Sequence, residues 1–145
     1  MSYTYDYPRP ALTVDIIVLN TNNNQNYLLL IERKNEPFKN CWALPGGFVD
    51  QNEDLHASAV RELKEETNLN IQNLNQFKTY GTPKRDPRGH TVSVVYYSKN
   101  NNLKQTALAG DDAKNLKWFN LNNLPELAFD HKKIITDFFK EHKFK

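Results

Sequence analysis

Cysteine is nearly missing from this sequence: Cys41 is the single one in 145 residues. One thiol builds neither a disulfide framework nor a cysteine-rich metal site, so a reducing compartment is compatible. Long apolar runs are missing too, and none approaches the roughly 20 residues that cross a bilayer as a helix. The opening stretch MSYTYDYPRP is polar and aromatic, unlike a secretory signal. The expected location is the cytoplasm. Charge of one sign is also lacking, with a net charge of +2. No basic run is dense enough for a duplex nucleic-acid binder.

What is there suits one globular domain over residues 1–145. Hydrophobic residues make up 39% and charged residues 25%, which excludes a disordered chain. Neither a repeat nor a linker is visible. The asparagine runs NTNNNQN, NLNIQNLNQ and KNNN sit between apolar segments and read as turns.

LTVDIIVL (12–19) and YLLLIER (27–33) read as two strands joined by a longer polar loop, Asn20 to Asn26. ALPGGFV reads as a strand, a glycine turn and a second short strand. From Asp54 to Thr67 the period changes: Leu55, Ala59 and Leu63 recur every fourth residue, which marks a helix burying one stripe. Asn52 is the expected N-cap, and Asn68 suits a left-handed end. IQNLNQFKTYG, TVSVVYYS and LKWFNL are further strands. Asp130 is expected to cap a last helix with the apolar stripe Ile134, Ile135, Phe138 and Phe139. Strands mixed with two helices indicate an α/β or α+β domain.

The first helix crowds Glu62, Glu65 and Glu66 onto one face. Carboxylates about 5 Å apart repel by roughly 3 kcal/mol at an effective dielectric near 20. A hard divalent cation reverses that sign, and magnesium commonly bridges carboxylates to a substrate phosphate. Arg61 lies beside the patch and suits a bidentate bond that fixes a carboxylate rotamer. The glycines of the preceding Pro-Gly-Gly let backbone approach a metal or phosphate closely.

Gly47, Glu53, Arg61, Glu62, Leu63, Glu65, Glu66 and Leu69 stand at the spacing Gly-x5-Glu-x7-Arg-Glu-U-x-Glu-Glu-x-Gly-U, U being aliphatic. This segment resembles the Nudix box. It departs from it only at Asn68, where the family has glycine. The resemblance implies an α/β/α sandwich around a mixed sheet. It also implies magnesium- or manganese-dependent hydrolysis of a nucleoside diphosphate linked to another moiety. On that analogy Glu62, Glu65 and Glu66 bind the metals, with the Gly46 carbonyl as a further ligand. Glu53 and Arg61 orient them.

The flanks TPKRDPRGHTVSVVYY and LAGDDAKNLKWFNLNNLPELAFDH resemble bacterial ADP-ribose pyrophosphatases, among them the Nudix halves of NAD-metabolism proteins. That group implies ADP-ribose as substrate, with AMP and ribose 5-phosphate as products, and a homodimer. Arg85 and Arg88 are the expected partners of the diphosphate or terminal ribose, and Arg33 is a further candidate to reach a phosphate. Asp111 or Asp112 is expected to supply an additional acidic group. Phe48, Trp42, Tyr80 and Phe129 are candidates to stack on adenine, with a place in the core the preferred reading of each. His90 is read as a structural histidine ahead of a general base. The alternatives are another nucleotide substrate (an oxidised nucleoside triphosphate, a dinucleoside polyphosphate or a sugar nucleotide) and a non-catalytic ADP-ribose sensor. A sensor needs a DNA-binding extension, and after LKWFNL only one helix is expected.

Overall fold

The computed structural model describes residues 2–110 and 113–142. β1 (Ala11–Asn22) and β2 (Gln25–Arg33) form an antiparallel hairpin. Its turn is Asn23 and Asn24, at φ 52° and 62°. The longer loop expected from Asn20 to Asn26 is therefore absent. Asparagine tolerates the two positive φ angles that a two-residue hairpin turn requires, so both strands run on to meet it.

Beyond Leu19 and Leu28 the two strands part, and a short segment fills the fork. β3 (Trp42–Ala43) pairs with β2, and β4 (Gly46–Phe48) pairs with β1 through Thr13, Val14 and Asp15. The far edge of β2 carries β7 (Ala113–Asn120), antiparallel. The far edge of β1 carries β6 (Thr91–Asn101), parallel from Ala11↔Thr91 to Thr21↔Asn101. β5 (Asn75–Tyr80) closes that side. Among the described residues the sheet is mixed and has seven strands.

Two helices cover its two faces. Val14, Ile16, Val18, Leu29 and Val94 pack with Ala59 and Leu63 of α1 (Leu55–Thr67). Ile17, Leu19, Leu28, Leu30 and Val95 pack with Ile134, Ile135 and Phe138 of α2 (His131–Glu141). Strand β1 is thus apolar on both sides, as a central strand between two layers must be. The architecture is the expected α/β/α sandwich. Among the described residues no helix is long and apolar enough to cross a membrane.

The expected caps need correction. Asp54, not Asn52, caps α1, its carboxylate accepting from the Ala57 N–H at 3.1 Å. Asn52 is left-handed, at φ 63°, in the turn before the helix. Asp130 precedes α2 but makes no side-chain cap bond. Its carboxylate is taken by Arg85, at 2.6 and 2.9 Å, and that charged pair outcompetes a neutral N–H. Asn68 does end α1 left-handed, at φ 63°, its N–H bonded to Lys64 O.

Candidate active site

α1 and β4 meet at close quarters. Gly46 and Gly47 lie within β4 and not in a left-handed turn, which corrects the glycine turn expected there. Glycine is required for proximity. A Cβ on Gly47 would stand 2.4 Å from Glu62 Oε2, and one on Gly46 would stand 2.2 Å from the Val14 carbonyl. Bare backbone is therefore laid against the Glu62 carboxylate. Glu62 and Glu66 are 9% and 7% exposed, although both are acids. Burial raises the Glu62 pKa against the opposing pull of Arg61.

Arg61 organises the rest of the acidic face. Its Nε and Nη2 grip the Glu53 carboxylate at 2.6 and 2.8 Å. Its Nη1 reaches Glu62 at 2.9 Å and Glu65 at 3.1 Å. Nη2 also donates to the Phe48 carbonyl at 3.2 Å, tying the helix to β4. These bonds hold Glu53 down to about 2 and push Arg61 up.

A cavity of about 400 Å³ opens above this face. Of the residues expected at the site, Gly46, Phe48, Glu62, Glu66, Arg33, Arg85 and Arg88 line it. Glu53, Glu65 and Arg61 stand beside it through the Arg61 bonds. Arg85 is not an open fork: its side chain is 5% exposed and paired with Asp130. Arg88 is bound by the buried Asp86 at 2.7 Å, with its guanidinium over Phe48 at 5.0 Å and Phe129 at 5.3 Å. Burial works to raise Asp86, but the Arg88 bonds prevail and hold it low. Arg33 also lies over Phe129, at 4.9 Å, and donates to the Pro37 carbonyl. Burial and then the nearby Arg88 lower Arg33. Two cations thus lie against one ring. Phe129 itself is left-handed at φ 52°, a strained conformation for a bulky residue of the kind found at functional sites.

Other expected residues fall elsewhere. His90 is bonded to the Gly81 carbonyl, Tyr80 to Asp137, and Trp42 packs edge-on to Phe119. None of the three lines the cavity. Gly110 N–H bonds the Glu66 carbonyl at 2.8 Å. Asp111 and Asp112 follow it and lie outside the described residues. Among the cavity residues that the sequence reading did not single out are the buried Asp15, Asp86 and His131. They come from separate elements, and no local spacing links them.

The donors fit a hard divalent ion. Buried carboxylate oxygens with glycine backbone alongside are oxygen ligands of the type magnesium and manganese prefer. Among the described residues no three acidic, histidine or cysteine side chains already form a closed cage. Arg61 draws Glu62 and Glu65 to itself. Such an open half-site suits an ion that keeps waters and shares a substrate phosphate.

The NUDIX domain model matches residues 9–138. The chain belongs to the Nudix family and is by class a pyrophosphohydrolase. An ADP-ribose pyrophosphatase of Methanocaldococcus jannaschii is 48% identical over 136 residues, covering 92% of this chain and 76% of the relative. An ADPR-responsive transcriptional repressor NtrR of Acinetobacter baylyi is 39% identical over 92% of this chain. The chain spans only 55% of that repressor's length. The NUDIX domain of Shewanella oneidensis NrtR, solved with ADP ribose, superimposes with a TM-score of 0.86 at 32% identity, covering 94% of this chain and 93% of that one.

Proposed function

We propose that this Nudix pyrophosphohydrolase cleaves ADP-ribose to AMP and ribose 5-phosphate with magnesium or manganese. One observation carries the reading: a single cavity holds the buried acids Glu62 and Glu66 together with the arginine and phenylalanine wall of Arg33, Arg88, Phe48 and Phe129. Its size is that of a nucleotide site. The relatives that bind or hydrolyse ADP-ribose support the choice of substrate.

Glu62, Glu65 and Glu66, with the Gly46 carbonyl, would hold the cation. When bound, it screens the diphosphate charge and acidifies a water. Arg61, anchored on Glu53, keeps the glutamates oriented. Arg33 and Arg88 take diphosphate oxygens, and an anion between them relieves their mutual repulsion. Arg85 contributes by fixing the start of α2. Phe48 and Phe129 present ring faces to the planar part of the substrate. One bridging P–O bond breaks. The water oxygen ends on one phosphorus, and the bridging oxygen leaves on the other.

The active form is a homodimer in which a partner's N-terminal segment completes the adenosine pocket. Tyr3, Tyr5 and Tyr7, 57%, 49% and 65% exposed, support this. A molar mass of one chain by light scattering would reject it.

A panel of ADP-ribose, NADH, oxidised dGTP and diadenosine polyphosphates, each with magnesium, tests the substrate. ADP-ribose is expected to be hydrolysed best, and preference for any other rejects it. The second reading is an ADP-ribose sensor, favoured by the repressor relative. Tight binding of ADP-ribose without AMP release would establish that reading instead.

A further inference from the structure

Away from the acidic helix, buried polar side chains from separate elements meet where Asp15 and His131 line the cavity. Asp15 of β1, Ser93 of β6 and His131 of α2 are 9%, 0% and 3% exposed. Ser93 Oγ donates to Asp15 Oδ2. His131 Nδ1 accepts from the Leu44 N–H at 3.0 Å. A nitrogen that accepts carries no proton, so the imidazole proton sits on Nε2. That nitrogen faces Asp15 Oδ1 at 3.7 Å, an electrostatic contact longer than a hydrogen bond.

Leu44 lies in the link between β3 and β4. Its far end is fixed on β1: the Ile16 N–H donates to the Pro45 carbonyl at 2.8 Å, and Gly46 pairs with Asp15. Asp15 packs so tightly there that a Cβ on Gly46 would stand 2.5 Å from its Oδ1. The link from Leu44 to Gly46 is thus pinned at one end by an imidazole and at the other by β1. Filling this space alone would be cheaper with apolar side chains, because burying polar groups is costly. What the polar trio adds is a backbone fixed by hydrogen bonds, one residue from the Gly47 backbone that Glu62 touches.

We propose that Asp15 and His131 are positioning residues for strand β4. Asp15 sets the tautomer of His131, His131 holds the Leu44 N–H, and the Gly46–Gly47 backbone is thereby kept in register with the Glu62 carboxylate. The proposal rests on the hydrolase reading.

D15N is isosteric but removes the negative charge that favours a proton on Nε2, and a proton moved to Nδ1 would oppose the Leu44 N–H. H131L removes the acceptor, whereas H131N keeps one near the Nδ1 position. Two readouts apply: kcat and KM with ADP-ribose, and Mn2+ affinity without substrate by electron paramagnetic resonance. D15N and H131L are expected to lower kcat and weaken Mn2+ binding about 10- to 100-fold, with KM nearly unchanged. H131N should restore most of both losses, and D15N should add little in that background, where no tautomer remains to be set. If H131L does not fold, D15N alone and with H131N decides the matter. A folded D15N with the kcat and Mn2+ affinity of the unaltered protein overturns the proposal, as does an H131N as impaired as H131L. If the unaltered protein leaves ADP-ribose intact, the substrate reading falls, and the Mn2+ measurements still judge the positioning role.

Discussion

A single methyl group separates the work of the two glycines in β4. On Gly47 it would meet the end of a side chain, which can move; on Gly46 it would meet the Val14 carbonyl, which cannot. G47A is therefore predicted to keep its fold but lose at least about 100-fold in turnover, because Glu62 is displaced. G46A is predicted to lose about 1–3 kcal/mol of stability in urea unfolding. Equal stability losses in the two variants would contradict this account. At the acids, E66Q is predicted to cut AMP release by orders of magnitude with an unchanged unfolding midpoint. Unchanged product release would remove Glu66 from the mechanism. Glu53 gives a pH prediction. Its folded pKa, about 2, lies below the ordinary carboxylate value, so its stabilisation is complete above about pH 5. That contribution is lost as pH falls toward 2. E53Q should unfold with a shallower acid dependence over that window, measured by Tm against pH.

Element ends show what local sequence can and cannot announce. The acids of α1 were legible because helical spacing alone puts them on one face, and Asn68 was legible because few residues accept a left-handed φ. Asp54 was misjudged in favour of Asn52 because both are good caps, and only the chain path into the helix separates them. Asp130 stands at the N-cap without a side-chain cap bond because Arg85, 45 positions away, takes its carboxylate, and no local spacing announces that pair. Asp15 and His131 were invisible on the same ground. The caps themselves can be tested. D54A should cost about 1 kcal/mol by loss of the Ala57 bond. N68G should change stability by less than about 1 kcal/mol, since relief at φ 63° is offset by loss of the Lys64 bond to Asn68 Oδ1. Urea midpoints decide both.

At the scale of the whole molecule, the Arg85–Asp130 pair ties the loop before β6 to the start of α2. It therefore fixes one layer of the sandwich to the other side of the cavity. R85M is predicted to destabilise by about 2–3 kcal/mol, below the cost for a fully buried pair because the Asp130 side chain is 21% exposed. A shift within experimental error would mean that the pair contributes nothing net. Because Arg85 also lines the cavity, KM for ADP-ribose should rise along with that loss.

The hairpin of β1 and β2 has a practical consequence. Its Asn23–Asn24 tip lies along β1 roughly 25 Å from Asp15, at about 3.3 Å per residue. A fluorophore or short peptide spliced in at that tip would travel with the rigid central strand while leaving catalysis undisturbed. It would give a handle for immobilisation or for watching the molecule tumble.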